Sequence, residues 1–443
     1  MAVFMFAFDE DKKNSVGEFK IHLKPHPVTG EMVPAPAPKP AQKVETVENK
    51  KSEIKQALTG GAIPPLGSIA KSSTTYTQKT TVVHTGDKVR EARQKRYALA
   101  TAIRKIYVAE GKRRGLLIPT TIHRQSLCKW AMTGDFVQLM RDEATAKAFF
   151  AGVQTCGSVW CCPVCANRIQ EVRRQEIASA MKHFINQGKQ AVMVTFTFPH
   201  TRDDSLKELL VKQSEALKKL RAGNVWTLFK NRIGFEGLVR SLEVTRGGNG
   251  WHPHTHELWF CDDNQDEGKF KEFLVNRWLS VCQKVGLVGD ELNQVEAFLL
   301  HSVDVRFHCD TSDYLAKMDD KSHWGVDREI AKASTKLGKA KGMHPFELAY
   351  KGYSSLWLEY SEAIKGKSQL YWSQGLKAQV GIDDKSDEEL AEEQENEPQL
   401  IGQLEKDEWF KVLSKELRAY VLDWIEDGQT IKDIKLLISL HRW

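Results

Sequence analysis

The chain has 443 residues and a formal net charge of +6, with 41% hydrophobic and 28% charged residues. This composition is typical of a soluble globular protein and excludes a fully disordered chain. A prior of about 150 residues per domain allows two or three domains. No apolar run approaches the roughly 18 residues of a membrane-spanning helix, and the apolar start Met1–Phe8 runs into Asp9 without basic residues, so we expect neither a membrane protein nor a secretory signal.

Residues 1–87 are predicted to be mostly disordered. A proline-rich spacer from Pro34 to Pro40 is followed by charged and Ser/Thr-rich stretches with few large apolar residues. Residues 88–187 form a predicted basic helical and zinc-binding region that contacts DNA. The stretch 87–115 holds ten Lys or Arg and three acidic residues around apolar residues at helical spacing. This helix either lies along phosphates or presents a solvated face.

Four cysteines lie within ten residues, at positions 156, 161, 162 and 165, which indicates a metal site in a reducing cytoplasm rather than a disulfide scaffold. Cys162 and Cys165 form a Cys-Pro-x-Cys turn whose backbone N–H groups can point at the thiolates. Together with Cys156 they provide three ligands for a structural Zn²⁺, and the fourth ligand is Cys128 or Cys161. The basic helix that follows carries Arg168, Arg173 and Arg174.

The central part of the chain mixes strand and helix patterns. Hairpins interspersed with helices indicate an α+β fold with a central antiparallel β-sheet flanked by helices. The predicted strands are Gln190–Phe198, Gly237–Thr245, Trp251–Phe260 and Leu300–Phe307, and the predicted helices are Leu206–Phe229 and Phe270–Val285.

Three histidines, His252, His254 and His256, alternate along one predicted strand and therefore share a face. The Gly-Gly-Asn-Gly sequence before this strand is a strong hairpin signal, and a symmetric turn places Glu243 across from His254 and Ser241 across from His256. Directly opposed Cβ atoms are about 5 Å apart. The pattern predicts a mixed nitrogen and oxygen site for Mg²⁺ or Mn²⁺, with open positions for a phosphate.

A helix is predicted to begin near Asp310, and Tyr314 then shares a face with Asp310 and with Lys317. A tyrosine can attack a phosphate if its phenol is deprotonated, and a nearby Lys⁺ favours the phenolate. Asp310 is either a catalytic group or the N-cap of this helix.

The last part of the chain is predicted to contain a helical extension over 351–382 and an acidic linker over 383–404. Nine acidic residues and one lysine between Asp383 and Glu397 indicate a solvated segment. Residues 405–443 regain apolar spacing, and Gly428 divides them into two short helices. We interpret them as a small C-terminal module.

Taken together, these motifs resemble the rolling-circle replication initiators of plasmids, the single-tyrosine type within the histidine-hydrophobic-histidine (HUH) endonuclease superfamily. The resemblance covers roughly residues 120–350, and Thr255 stands where that superfamily usually has a bulky hydrophobe. The stretches that match, in the family's order, are the cysteine-rich Cys156–Cys165, the strand Val194–Pro199, the histidine strand Gly250–His256 and the stretch Tyr314–Lys317.

The resemblance implies that 188–350 is the catalytic domain, that His254 and His256 bind the catalytic metal with His252 just outside, and that Tyr314 is the nucleophile. It favours Cys128 as the fourth zinc ligand, and the activating carboxylate of some members falls on Asp310. From this resemblance and the basic helix we expect DNA contacts from five residues: Thr195, Thr197, Arg168, Arg173 and Arg174.

The implied function is the nicking of one strand at a double-strand origin, within a single-stranded nick site, to leave a 5′-phosphotyrosine and a 3′-OH primer. The chain contains no P-loop sequence, so a host helicase and a host DNA polymerase are the expected partners in the bacterial cytoplasm. The sequence does not determine the oligomeric state, which could be a homodimer. It also does not determine whether the origin belongs to a plasmid or to a phage. The alternatives are a relaxase or rolling-circle transposase with the same chemistry, or a non-enzymatic zinc-dependent DNA-binding regulator.

Overall fold

The computed structural model describes residues 23–25, 32–34, 85–116, 123–309, 342–392 and 398–441. The chain divides into two compact units, residues 1–82 and 83–443. The strands within the described residues are β1 (Leu23–Pro25), β2 (Met32–Pro34), β3 (Phe136–Asp142), β4 (Ala148–Ala151), β5 (Lys189–Phe196), β6 (Gly237–Gly247), β7 (Gly250–Asp262), β8 (Val303–Arg306), β9 (Leu370–Trp372) and β10 (Pro398–Glu405).

Helices make up most of the remaining described chain, and none of those described is both long and apolar enough to span a bilayer. They are α1 (Thr85–Arg113), α2 (Pro163–Asn186), α3 (Leu206–Leu220), α4 (Gly223–Arg232), α5 (Glu267–Lys284), α6 (Leu292–His301), α7 (Pro345–Tyr350), α8 (Ser354–Ala363), α9 (Leu376–Gln379), α10 (Asp387–Glu392), α11 (Lys406–Ser414), α12 (Arg418–Glu426) and α13 (Ile431–Leu440).

In the first unit, β1 and β2 pair in antiparallel fashion with Lys24 opposite Val33. The predicted disorder of residues 1–87 falls almost entirely outside the described residues.

The second unit contains an antiparallel sheet of five strands in the order β8-β5-β7-β6-β9. Its long central hairpin, β6–β7, has a two-residue turn, because Gly247 pairs directly with Gly250. Gly250 has a φ of +93°, which an L side chain rarely adopts, so the turn depends on glycine at this position. The mixed α+β architecture predicted from the sequence is confirmed, with antiparallel sheets flanked by helices.

Helices cover the two faces of this sheet differently. On one face α2 packs against the far end of the strands, where the rings of Phe184 and Phe260 stack 4.4 Å apart. The opposite face packs against α3, α4 and α5 through large aromatic side chains such as Trp259 and Trp278. Side chains alternate between the two faces along β7, so the three histidines lie on the same face as Leu258 and Phe260, which pack against α2. The histidines precede these two residues along the strand. We call this face the histidine face.

A second core joins both ends of the second unit. The three-stranded sheet β10-β3-β4 packs with α1 and with α11 to α13 around fully buried side chains such as Val137, Trp409 and Val421. Ion pairs add to this packing, since Arg93 of α1 lies 2.7 Å from Asp423 and 2.5 Å from Glu426. One side of the basic stretch 87–115 is therefore buried, and several of its cations pair with the C-terminal helices. Its other side is solvated, since the side chains of Lys105 and Arg113 are 71% and 72% exposed.

For the residues that the structure describes, the predictions of a linker over 383–404 and of a separate C-terminal module over 405–443 were wrong. Residues 398–405 form β10, which pairs with β3, because alternate side chains such as Leu404 complete the second core. The acidic helix α10 packs on α2 through buried Leu390 and Ala391. The described part of the predicted module, residues 405–441, forms three helices instead of two, with Gly428 separating the last pair.

The predicted helical extension 351–382 is only partly helical. Its strand β9 pairs with β6 and so extends the five-stranded sheet at its edge. The predicted helix 206–229 is two helices, α3 and α4, and the first residues of the predicted strand 300–307 belong to α6. The other central strands and helices lie within a few residues of their predicted bounds.

Candidate active site and metal centres

The β6–β7 hairpin has the register predicted from its turn. Glu243 lies directly opposite His254, and Ser241 lies opposite His256, with no bulge between them. The rings of His254 and His256 lie 5.0 Å apart on the histidine face. The hairpin therefore brings a carboxylate and two imidazoles together across adjacent strands.

Glu243, His254 and His256 form a compact ligand group. The Glu243 Oε2 atom lies 3.2 Å from Nε2 of His254 and 3.2 Å from Nε2 of His256. Burial raises the pKa of the Glu243 carboxyl, but hydrogen bonds and charge interactions with the two histidines outweigh burial, and the net pKa lies well below its usual range. Burial lowers the pKa of His254, and the contact with Glu243 reverses this effect and raises it overall.

This donor set fits a divalent ion. Ligands at adjacent positions of an octahedral ion, with bonds of about 2.1 Å, are about 3.0 Å apart, which is close to the observed spacing. The two imidazoles and one carboxylate occupy one side of such an ion and leave its other positions open. The His256 side chain is 29% exposed, against 12% for the other two, so the group opens towards solvent at this residue.

A threonine on the neighbouring strand orients His256. Thr195 lies directly opposite His256 on β5, and its Oγ1 atom is 2.9 Å from Nδ1 of the histidine. If Nε2 of His256 binds an ion, the ring proton is on Nδ1 and can be donated to this hydroxyl. Thr195 thus contacts a metal-ligand candidate in addition to its predicted contact with DNA.

His252 does not join this group, although it was predicted at its margin. Its Nδ1 atom lies 2.8 Å from Nε2 of His200, and His200 in turn contacts the Asn249 carbonyl through Nδ1 at 2.9 Å. Burial lowers the pKa of His252 to about 3. The contact with His200 was not foreseen, because nothing in the local sequence marks that distant residue as a partner.

A second group contains four buried thiols from three separate stretches of chain. Cys128, Cys156, Cys162 and Cys165 have sulfur atoms within 4.8 Å of one another. We call this group the cysteine cluster. Measured Sγ–Sγ distances are 3.5 Å for Cys128–Cys165, 3.7 Å for Cys156–Cys165 and 3.6 Å for Cys128–Cys162.

The spacing of the cysteine cluster fits zinc. Four sulfurs in a tetrahedron around Zn²⁺, at about 2.3 Å each, are about 3.8 Å apart. Hydrogen bonds from Cys128 and Cys156 hold the pKa of Cys165 well below that of an ordinary thiol, and the Ser158 N–H donates to the sulfur of Cys156 at 3.4 Å. Cys161 lies outside the cluster, and burial raises its pKa to about 12.

Buried arginine near the cysteine cluster supplies complementary charge. The Arg418 side chain donates to the Lys129 carbonyl at 3.1 Å and to the Thr101 hydroxyl at 2.6 Å. Burial lowers the pKa of Arg418, whereas charge interactions with Tyr97, Cys128 and Cys162 act to raise it. Four thiolates around Zn²⁺ carry a net charge of −2, so a buried cation here stabilises that form.

The arginines predicted to contact DNA are engaged within the protein. Arg168 donates to the Leu390 carbonyl at 3.1 Å, and Arg174 pairs with Glu171 at 2.7 Å. Arg173 donates to the Lys385 carbonyl at 2.9 Å and has an 11% exposed side chain. Arg173 is therefore not available to DNA in this structure, because the acidic segment covers it. Thr197 lies directly after β5, where its hydroxyl is 3.3 Å from the His301 carbonyl.

The predicted nucleophile and its companions, Asp310, Tyr314 and Lys317, lie outside the described residues. The described chain before them ends at Cys309, which packs on the histidine face with Ala191 and Met193.

The second unit thus combines an antiparallel sheet that carries a histidine–carboxylate group with a four-cysteine cluster. The model of the Replication protein family matches residues 147–421, more than half of the chain. The chain therefore belongs to the Replication protein family. The resemblance to plasmid replication initiators is thereby confirmed at the level of the family.

Two curated relatives match parts of the chain. Protein rep of Streptomyces lividans is 25% identical over 312 residues, which cover 55% of this chain and 68% of that protein. Neomycin resistance protein of Streptomyces cyanogenus is 33% identical over 140 residues, which cover 26% of this chain and 32% of that protein. No solved structure matches the chain.

Proposed function

We propose that this replication protein initiates rolling-circle replication by nicking one strand of a plasmid or phage double-strand origin. The observation that carries the proposal is the group formed by Glu243, His254 and His256 on the open part of the histidine face. A mixed nitrogen and oxygen group with open coordination positions is suited to a divalent ion that also contacts a phosphate. A chain whose family acts in replication gives such a group a natural substrate in DNA.

The three side chains would hold Mg²⁺ or Mn²⁺, which when bound withdraws electron density from a phosphate oxygen. Glu243 provides the anionic ligand, and the two imidazoles bind through their Nε2 atoms, the atoms that already face the carboxylate. Thr195 would accept the Nδ1–H of His256 and so hold the orientation of its ring while Nε2 binds the ion. Since these residues belong to three adjacent strands, the sheet itself preorganises the ligands.

Tyr314 is the proposed nucleophile, and the length of chain permits this role. Cys309 donates its N–H to the Ala191 carbonyl, and Ala191 lies four residues, about 13 Å, before Thr195 on β5. Tyr314 follows Cys309 by five residues, which span at most about 17 Å. The phenol can therefore reach a phosphate bound beside His256.

The proposed chemistry conserves the phosphodiester bond energy. The phenolate oxygen of Tyr314 forms a bond to phosphorus, the bond from phosphorus to the 3′ oxygen breaks, and that oxygen takes up a proton to become the 3′-OH primer. Lys317 would favour the phenolate and offset charge on the phosphate. Asp310 would activate water in the terminating cleavage or cap the helix. The covalent link stores the energy for rejoining, so neither step needs ATP.

The other parts of the chain have supporting roles in this proposal. The cysteine cluster would hold a structural Zn²⁺ and so tie Cys128 to the start of α2, the helix that packs on the histidine face. A host helicase and a host DNA polymerase would act in the bacterial cytoplasm on the opened origin. Membership of a replication protein family favours an initiator over a relaxase or transposase of the same chemistry.

The test is covalent adduct formation with DNA. Wild-type protein and Tyr314→Phe are incubated with Mn²⁺ and labelled single strands from the replicon that encodes the chain, and adducts are separated on denaturing gels. The proposal predicts an adduct and a free 3′-OH with wild type alone. Equal adduct in both proteins would reject Tyr314 as nucleophile. Binding without adduct in either would instead support a zinc-dependent DNA-binding regulator.

A further inference from the structure

A cavity of about 400 Å³ lies between the end of β5 and the helix α6. Its walls are mostly apolar and include Phe198, Pro199, Ala297 and Phe298. This volume is within the range of roughly 300–1,000 Å³ found for small-ligand sites. The cavity contains none of the three metal-ligand candidates, so it is a separate feature of the surface.

The cavity is also lined by polar side chains that can form hydrogen bonds with a flat ligand. Ser302 lines it, and the hydroxyl of this 3% exposed residue has no hydrogen-bond partner within the described part of the chain. A buried hydroxyl without a partner is costly, and a ligand that bonds to it removes that cost. Asn293, Gln294 and His301 stand at the exposed rim. Asn293 Oδ1 accepts from the Gln294 N–H at 2.7 Å and Gln294 Nε2 donates to Glu291 at 3.2 Å, so the remaining polar atoms of these side chains are the ones that can bond to the edge of a ring.

Thr197 connects the cavity to the metal group. It lines the cavity and follows Thr195 by two residues, so alternation along the extended chain directs both to the same side about 7 Å apart. Thr195 in turn contacts His256 at 2.9 Å. A single strand whose phosphate lies at His256 would therefore pass the cavity about one nucleotide away.

We infer that this cavity binds one unpaired nucleobase next to the scissile phosphate and so contributes to the choice of nick site. The apolar walls receive the faces of the base, and the side-chain amides, the imidazole and the Ser302 hydroxyl bond to its edge. Asn and Gln suit adenine best among the four bases. This inference rests on the proposed function, because it assumes that single-stranded DNA lies across the histidine face.

The test measures base preference with three labelled single strands, dA12, dT12 and dC12, by fluorescence anisotropy at one fixed salt concentration. Ala297→Trp fills the cavity from an exposed position of α6, and Ser302→Ala removes the unpartnered hydroxyl without breaking an internal bond. Leu228→Trp adds similar bulk at a 63% exposed position of α4 and serves as the matched control.

Wild type and the Leu228 control are expected to prefer one of the three strands by roughly 5- to 150-fold, the range for one well-read base. Ala297→Trp should bring the three affinities within about twofold of one another, and Ser302→Ala should reduce the preference partially. Equal affinities in wild type, or an unchanged preference in Ala297→Trp, would overturn the inference. The adduct assay with Tyr314→Phe tests the proposed nicking function separately from the base-binding cavity. A wild-type protein that forms the adduct but shows no base preference would retain the first proposal and reject the second.

Discussion

The contact between Thr195 and His256 offers a quantitative test of the candidate metal site. Thr195→Val replaces the hydroxyl with a methyl group and keeps both the branched shape and the strand preference of the residue. His256 Nδ1 then loses the partner that lies 2.9 Å away and holds its ring with Nε2 towards Glu243. Loss of such a supporting bond to a ligand histidine typically lowers metal affinity 10- to 100-fold, which corresponds to about 1.4–2.7 kcal/mol.

The affinity for Mn²⁺ is measured by isothermal titration calorimetry, with the zinc content held constant. The control Thr227→Val removes a hydroxyl that bonds within its own helix, to the Gly223 carbonyl at 3.3 Å. We expect a 10- to 100-fold weaker Mn²⁺ affinity for Thr195→Val and no change for Thr227→Val, with similar thermal unfolding midpoints for both. An affinity for Thr195→Val equal to that of wild type would show that the hydroxyl does not orient a ligand.

Three further predictions concern the cysteine cluster and a partly buried histidine. Cys165→Ser should lose one zinc per chain by elemental analysis whereas Cys161→Ser should keep it, and equal zinc in both variants would reject the ligand assignment. Arg418→Met should lower the free energy of unfolding, measured in urea, by about 2–3 kcal/mol, because it removes charge-assisted hydrogen bonds from a buried site. An unchanged free energy of unfolding would show that these hydrogen bonds do not stabilise the fold. Burial lowers the pKa of His123 to about 4, so its contribution to stability is present above pH 6.5 and is lost as the pH falls towards 4. The wild-type free energy of unfolding should therefore fall by about 3 kcal/mol over this pH range. The variant His123→Asn can still accept the Gln125 N–H and should lose less stability over the same range. Identical profiles of unfolding free energy against pH for the two proteins would contradict the reasoning.

Local patterns were sufficient for the histidine hairpin. The Gly-Gly-Asn-Gly turn determines the register because a two-residue turn leaves no freedom to slip, and the strand period of two then determines which side chains share a face. The same reasoning could not identify Thr195 as a partner of His256, because β5 and β7 are joined by a long connection whose register no turn specifies.

Charge patterns were less informative than apolar patterns. The acidic stretch from Asp383 was interpreted as solvated. In the structure, Leu390 of α10 is buried, and the Lys385 carbonyl in the same stretch accepts a hydrogen bond from Arg173. An acidic and a basic stretch that lie two hundred residues apart can pair only once the fold brings them together. The sequence alone contained the complementary charges but no information about their contact.

The cysteine cluster shows the same limit for metal ligands. The Cys-Pro-x-Cys turn identified Cys162 and Cys165, whereas the choice between Cys128 and Cys161 depended on a resemblance. In the structure, Cys128 supplies the fourth sulfur from the end of a short 3₁₀ helix at Arg124–Leu127. Adjacent residues at the start of α2 point in different directions, which separates Cys161 from Cys162.

The most direct test of the account is the identity of the residue that becomes linked to DNA. The gel-purified adduct formed with Mn²⁺ is digested with trypsin and nuclease and analysed by tandem mass spectrometry. Cleavage after Arg306 and Lys317 yields the peptide 307–317, which carries Tyr314 together with Thr311 and Ser312. The account predicts a nucleotide attached through its 5′ phosphate to Tyr314, and attachment to any other residue, or through a 3′ phosphate, would contradict it.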